Sequence, residues 1–72
     1  MSAKIDLNDR LLHSVDAARI LGVSPAWLAR ERWKGTGPIF VKVGGPNGRA
    51  VRYRASDLIQ WIDRNAVRAL AK

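Results

Sequence analysis

The chain moves between two apolar rhythms, one with helical spacing and one with the period of a strand. In "SVDAARILG" Val15, Ala18 and Leu21 recur at three-residue steps, the spacing that gathers side chains on one helix face. Ser14 stands where a cap is wanted, and Gly22 can end the helix in the left-handed conformation. One residue later, "SPAWLARERWK" brings a cap serine, Ser24, followed by a proline. This pair starts a second helix almost at once. "GTGP" then stops it, since glycine and proline at that density favour a turn.

The rhythm changes to two beyond that point. In "IFVKV" Ile39, Val41 and Val43 alternate with Phe40 and Lys42, and in "AVRYR" Val51 and Tyr53 alternate with Ala50, Arg52 and Arg54. Each run reads as a short strand with one more apolar face, the Ile39, Val41 and Val43 side in the first. "GGPNGR" between them predicts a hairpin loop in which Gly and Asn supply positive φ. Helical spacing then returns: Ser56 is placed to cap "DLIQWIDRN", Asp57 suits the dipole of its first turn, and Leu58, Trp61 and Ile62 form an apolar stripe. The tail "AVRALAK" extends or frays this helix, with Val67 and Leu70 its only sizeable apolar residues.

Helix, tight turn, helix, β-hairpin and helix together predict an α+β, mainly helical winged helix-turn-helix, as one domain over residues 1–72 with its core over 12–64. A helix-turn-helix needs a small residue at the crossing, a turning glycine and an apolar anchor, the roles of Ala18, Gly22 and Leu28. With Leu28 inward at about 100° per residue, Ala26 and Arg30 project nearly opposite, with Trp27, Ala29, Trp33 and Lys34 spread around them. Arg30 and Lys34 are the candidates for guanine edges in a major groove. Arg49 at the hairpin tip suits a narrow minor groove, Asn47 and the loop amides suit phosphate, and Lys42, Arg52 and Arg54 line the approach. Trp61 and Trp33 are expected in the core, and Trp27 is the aromatic considered for a thymine methyl.

Composition sharpens this picture. Among 72 residues there are 13 Lys+Arg against 6 Asp+Glu, a net charge of +7. Residues 1–28 balance three bases with three acids, whereas residues 29–54 hold seven bases against Glu31 alone. Such concentration suits a polyanion, because each neutralised phosphate releases condensed counterions. A chain this short buries only about 60% of its extended surface, so its stability is marginal. It has no cysteine and a single histidine, His13, which leaves no disulfide, no metal-ligand spacing and no expected cofactor or small-molecule ligand. His13 itself reads as structural or solvated. No nucleophile with a base, carboxylate dyad or phosphate-cradling motif appears, so the chain is not expected to be an enzyme. An RNA-binding module and a protein-interaction adaptor remain open alternatives, distinguished from duplex binding by competition at matched salt. No apolar leader or membrane-spanning run is present, and a cytoplasmic protein is expected.

"VDAARILGVSPAWLARERWKGTGPIFVKVGG" followed by "VRYRASDLIQWI" resembles the excisionase and AlpA-type family of small MerR-like winged helix-turn-helix proteins. The "KGTGPIFVKVG" link and the "VRYRASDLIQW" passage are its most specific parts. The resemblance implies that the helix over 24–33 enters a major groove of double-stranded DNA and that the wing over 44–52 contacts an adjacent minor groove or its backbone. Carried over by position, Ser24, Ala26, Trp27, Arg30, Arg32 and Lys34 belong to the reading element, and Asn47, Arg49 and Arg52 to the wing. Two features depart from the family pattern: Glu31 stands where relatives commonly place an aromatic residue, and "GGPNGRA" is longer than their usual turn. Members of this size include recombination directionality factors, which help a site-specific integrase excise a mobile element, and promoter regulators. A chain without an effector domain or dimerisation helix suits the first. It implies several copies on adjacent sites, joined through the wing, a flexible amino-terminal arm or the carboxy-terminal tail.

Overall fold

The computed structural model describes residues 9–68. It has three helices and a three-stranded antiparallel sheet: β1 (Leu11–His13), α1 (Ser14–Leu21), α2 (Pro25–Lys34), β2 (Val41–Val43), β3 (Ala50–Arg54) and α3 (Ala55–Arg64). This is a winged helix-turn-helix of the α+β class. Strand order is β1-β3-β2, so the short strand before α1, which sequence patterning did not reveal, extends the hairpin on its inner side. Three residues of "LLH" carry too little periodicity to signal a strand; β3 supplies the pairing that makes them one. The expected amino-terminal arm and Leu70 of the tail lie outside the described residues.

α1 and α2 are joined as expected. Gly22 has φ 74°, and the amides of Gly22 and Val23 return to the carbonyls of Arg19 and Ala18 at 3.2 and 2.9 Å, closing the helix end. Ser24 then accepts the Trp27 amide at 3.0 Å, with Pro25 at the first helical position. The elbow brings Ala17, Ala18 and Leu28 into one buried cluster with Tyr53 and Leu58. Ala17, rather than Val15, is the buried partner of Ala18, and Val15 is exposed. Two adjacent alanines let α1 lie close to α2 and the sheet, and a valine two residues earlier falls on the outer side.

The caps of α1 and α3 differ from expectation. α1 starts at Ser14 itself, its flanking residue is His13 and no side chain caps it, because His13 is still in the extended ladder of β1. α3 likewise starts at Ala55, one residue ahead of Ser56, with Arg54 flanking. β3 runs into α3 without a loop, and the Ala55 amide continues the ladder to the Arg10 carbonyl at 3.0 Å. Ser56 is therefore inside the helix, and its amide needs an outside acceptor. Asp9 provides it from 47 residues away: Oδ1 accepts the Ser56 amide at 2.9 Å and Oδ2 accepts the Ser56 hydroxyl at 2.6 Å. These two bonds, hydroxyl first, hold the Asp9 carboxyl below its ordinary range, with help from the Arg54 charge.

The sheet register corrects the expected faces of the hairpin. Lys42 pairs with Val51 and Val41 with Arg52, and directly opposed residues share a face. Val51 packs on the core and Tyr53 is fully buried. The inward face of β2 is therefore the Phe40 and Lys42 side. Ile39 and Val43 are exposed. Positive φ in the connecting loop is confined to Gly44 and Gly45, so Asn47 does not supply it. Instead Gly45, Pro46, Asn47 and Gly48 form a turn closed by the Gly48 amide on the Gly45 carbonyl at 2.8 Å.

Candidate nucleic-acid interface

The link from α2 to β2 shows why an acid sits amid so many bases. The amides of Gly35 and Thr36 close the end of α2 on the carbonyls of Arg32 and Glu31. The Glu31 side chain then accepts the Thr36 hydroxyl at 2.6 Å and pairs with Lys34 at 3.2 Å. Thr36 chiefly, then Lys34, hold its carboxyl below the ordinary range. Gly37 follows with φ 82°, and a Cβ there would meet the Glu31 Cβ at 2.8 Å. Glu31 thus shapes the turn that sends the chain into the hairpin.

With the turn fixed, α2 and the hairpin stand side by side. Between them is an open hollow of about 330 Å³ lined by Ala29, Arg32, Trp33, Phe40, Lys42 and Val51. Arg32 crosses its base: Nη1 donates to the Tyr53 hydroxyl at 2.8 Å, and the guanidinium lies 5.9 Å from the Phe40 ring centroid. A second hollow, about 280 Å³, lies on the other flank of Trp33 beside Arg30 and Lys34. Ion pairs among the described residues are Arg19–Asp16, Lys34–Glu31 and Arg54–Asp57. Arg30, Lys42 and Arg49 have no carboxylate partner among them.

Each residue singled out in the sequence now has a place. Ala26, Arg30 and Lys34 are exposed on α2, and Asn47 and Arg49 are exposed on the hairpin loop. Ser24 is occupied as the cap of α2. Trp27 is half-buried against the core, edge-on to Trp61 at 6.3 Å between centroids, so its ring serves packing. Arg32 is turned inward onto Tyr53. Arg52 lies on the sheet face away from α2, between His13 and Val41, and donates to the Val51 carbonyl at 2.8 Å. The structure therefore brings together Ala26, Arg30, Lys34 and, across the hollow, Lys42; Arg52 and Arg54 belong to the other face.

Beyond Trp27, Arg32 and Arg52, sequence patterning also misplaces Trp33 and Lys42. Trp33, expected in the core, is 90% exposed. It lies roughly 140° around α2 from Leu28, and the helical angle alone points it toward the Arg30 side. Lys42, grouped with Arg52, faces the opposite way. Taking Val43 and Ala50 as the pair that closes the loop would have given this register.

A half-exposed helix presented through a tight glycine elbow, with a basic hairpin beside it, defines the helix-turn-helix class of DNA-binding domain. Residues 11–66 match the family model described as a helix-turn-helix domain. The chain belongs to this family, which is found in AlpA and excisionase-type proteins. Comparison with curated proteins and with solved structures gives no match. Among the described residues no helix is long and apolar enough to cross a membrane, and no group of His, Cys, Asp and Glu could hold a metal ion.

Proposed function

We propose that the protein binds duplex DNA in a sequence-specific manner and serves as an excision factor, assembling in several copies on attachment-site DNA and assisting a site-specific integrase in the cytoplasm. The observation that carries the binding step is the hollow between α2 and the hairpin, walled by α2 on one side and by Lys42 on the other. α2 in a major groove leaves this hollow for the intervening sugar-phosphate strand, and the Asn47 and Arg49 loop reaches beyond it. The excision role is supported by the family resemblance and by the absence of catalytic groupings in the sequence, which leaves chemistry to a partner.

Footprinting on DNA flanking the gene, followed by an excision assay with the integrase encoded nearest to it, tests this. Protection of several adjacent sites at an attachment region, and excision that depends on the protein, are expected. Protection over promoter elements alone would replace the excision role with transcriptional control. With about four to six phosphate contacts, log K against log salt should fall with a slope near −4 to −5. A slope near zero would remove duplex binding itself.

A further inference from the structure

The exposed face of α2 ends in a tryptophan that none of the described residues covers. Trp33 is 90% exposed, the most exposed large apolar side chain among the described residues. One exposed apolar side chain alone calls for no partner, but an indole standing between two hollows lined by cations suits a surface that is buried in a complex. Its neighbours say what kind. Trp33 separates a hollow walled by Arg30 and Lys34 from one walled by Arg32 and Lys42, so any occupant that covers it also meets cations on both flanks. A second copy docking by the same face would set these cations against their equivalents. A polyanion meets no such repulsion.

Resting on the duplex-binding reading above, the geometry points to Trp33 as a base-reading residue that packs on the C5-methyl of thymine. At about 100° per residue, Ala26, Arg30 and Trp33 fall within roughly 60° of one another on the helix side opposite Leu28. The side chain is thus directed where α2 meets base edges, while its flank borders the hollow left for the strand. The thymine methyl is the apolar group that base edges present in a major groove. Arg30 and Trp33 are separated by about 4.5 Å along the helix axis, against about 3.4 Å per base step. A guanine read by Arg30 therefore has the thymine one or two steps away. This assigns to Trp33 the contact that Trp27, held against Trp61, is not free to make.

The experiment uses duplexes selected by the full chain from a random library, each synthesised with thymine and with deoxyuridine, which lacks only the methyl group. The wild type should bind the deoxyuridine duplex about fourfold more weakly, as expected for one buried methyl. Trp33→Ala should bind the thymine duplex at least about tenfold more weakly than wild type and should not distinguish thymine from deoxyuridine. Trp33→Phe should recover part of the methyl preference. Equal sensitivity to the methyl in wild type and Trp33→Ala would overturn the assignment while leaving duplex binding intact. Salt-insensitive binding by the wild type would instead bring down duplex binding, and this contact with it.

Discussion

Arg32→Ala separates two roles that the same side chain has been given, a DNA contact by family position and an internal tie by geometry. In the fold its Nη1 donates to the Tyr53 hydroxyl at 2.8 Å, and Tyr53 is fully buried. Removing the arginine leaves that hydroxyl without its partner, a loss of about 1 to 3 kcal/mol. The guanidinium above Phe40 adds about 0.5 to 1 kcal/mol, the lower end applying because the group is half-exposed. The total is about 2 kcal/mol, which in a domain of this size lowers Tm by about 8 to 16 °C. Tyr53→Phe should do less, about 1 kcal/mol, because water can take over the freed guanidinium donor. In the double variant the two losses should fall short of additive by about 1 kcal/mol, the signature of a shared bond. Thermal unfolding of the four proteins measures this. The salt dependence of duplex binding, taken well below the lowest Tm, gives the second readout: its slope should be unchanged in Arg32→Ala. An unchanged Tm together with a slope reduced by about one would refute the internal tie and restore the phosphate contact.

Other perturbations address the hairpin, the reading helix and the caps. Gly48→Ala would place a Cβ 2.1 Å from the Val43 carbonyl oxygen and 2.9 Å from its carbon; since backbone cannot swing aside, the loop must open. About 1 kcal/mol should go with the Gly48 to Gly45 bond, and duplex affinity should fall while the circular dichroism of the helices persists. Arg30→Ala should relax preference at one base pair, whereas Lys42→Ala should weaken all duplexes alike and reduce the salt slope by about one; identical selection profiles and slopes for the two would contradict this division. The carboxyls of Asp9 and Glu31 lie below their ordinary values of 3.8 and 4.5 when folded. Their contribution is thus complete above those values and is lost as pH falls through the lowered ones. Tm of the wild type should therefore decline more steeply than that of Asp9→Asn as pH falls below about 3.8, where the Asp9 contribution is lost, and parallel curves would show that the Ser56 bonds do not stabilise the fold.

The order of the elements was legible because punctuation and period agreed along most of the chain. Gly22, the Ser24 and Pro25 pair and "GTGP" each act within a few residues, so local chemistry decides them. Leu28 and Ala18 could be placed inward for the same reason. What stayed hidden depends on partners distant in sequence. β1 exists because β3 offers an edge, and the cap of α3 comes from Asp9 rather than from the adjacent Ser56. The candidate site divides the same way. Exposure of Ala26 and Arg30 followed from the helical angle to Leu28. The inward turn of Arg32 depends on Tyr53 ending beneath it, and Trp33 is exposed, as its angle from Leu28 indicates, although a large apolar side chain suggests the core.

Sidedness of the positive charge is set by strand register more than by the number of bases. Lys42 and Arg52 are both polar residues in otherwise apolar strands, and alternation within each strand gives them equal standing. Pairing of Lys42 with Val51 and of Val41 with Arg52 sends them to opposite faces, since a shift of one residue would exchange every side chain between faces. The loop enforces that choice. Its turn from Gly45 to Gly48 brings Gly48 so close to the Val43 carbonyl that glycine alone fits, which fixes Val43 opposite Ala50 as the closing pair. The register that this loop closes leads Lys42 to α2 and leaves Arg52 and Arg54 on the far side. There Arg54 is engaged with Asp57 at 2.8 Å. Of the hairpin bases Lys42, Arg52 and Arg54, this register sets Lys42 alone on the side of α2, and the positive field there is the sum of Lys42 and the bases that α2 itself carries.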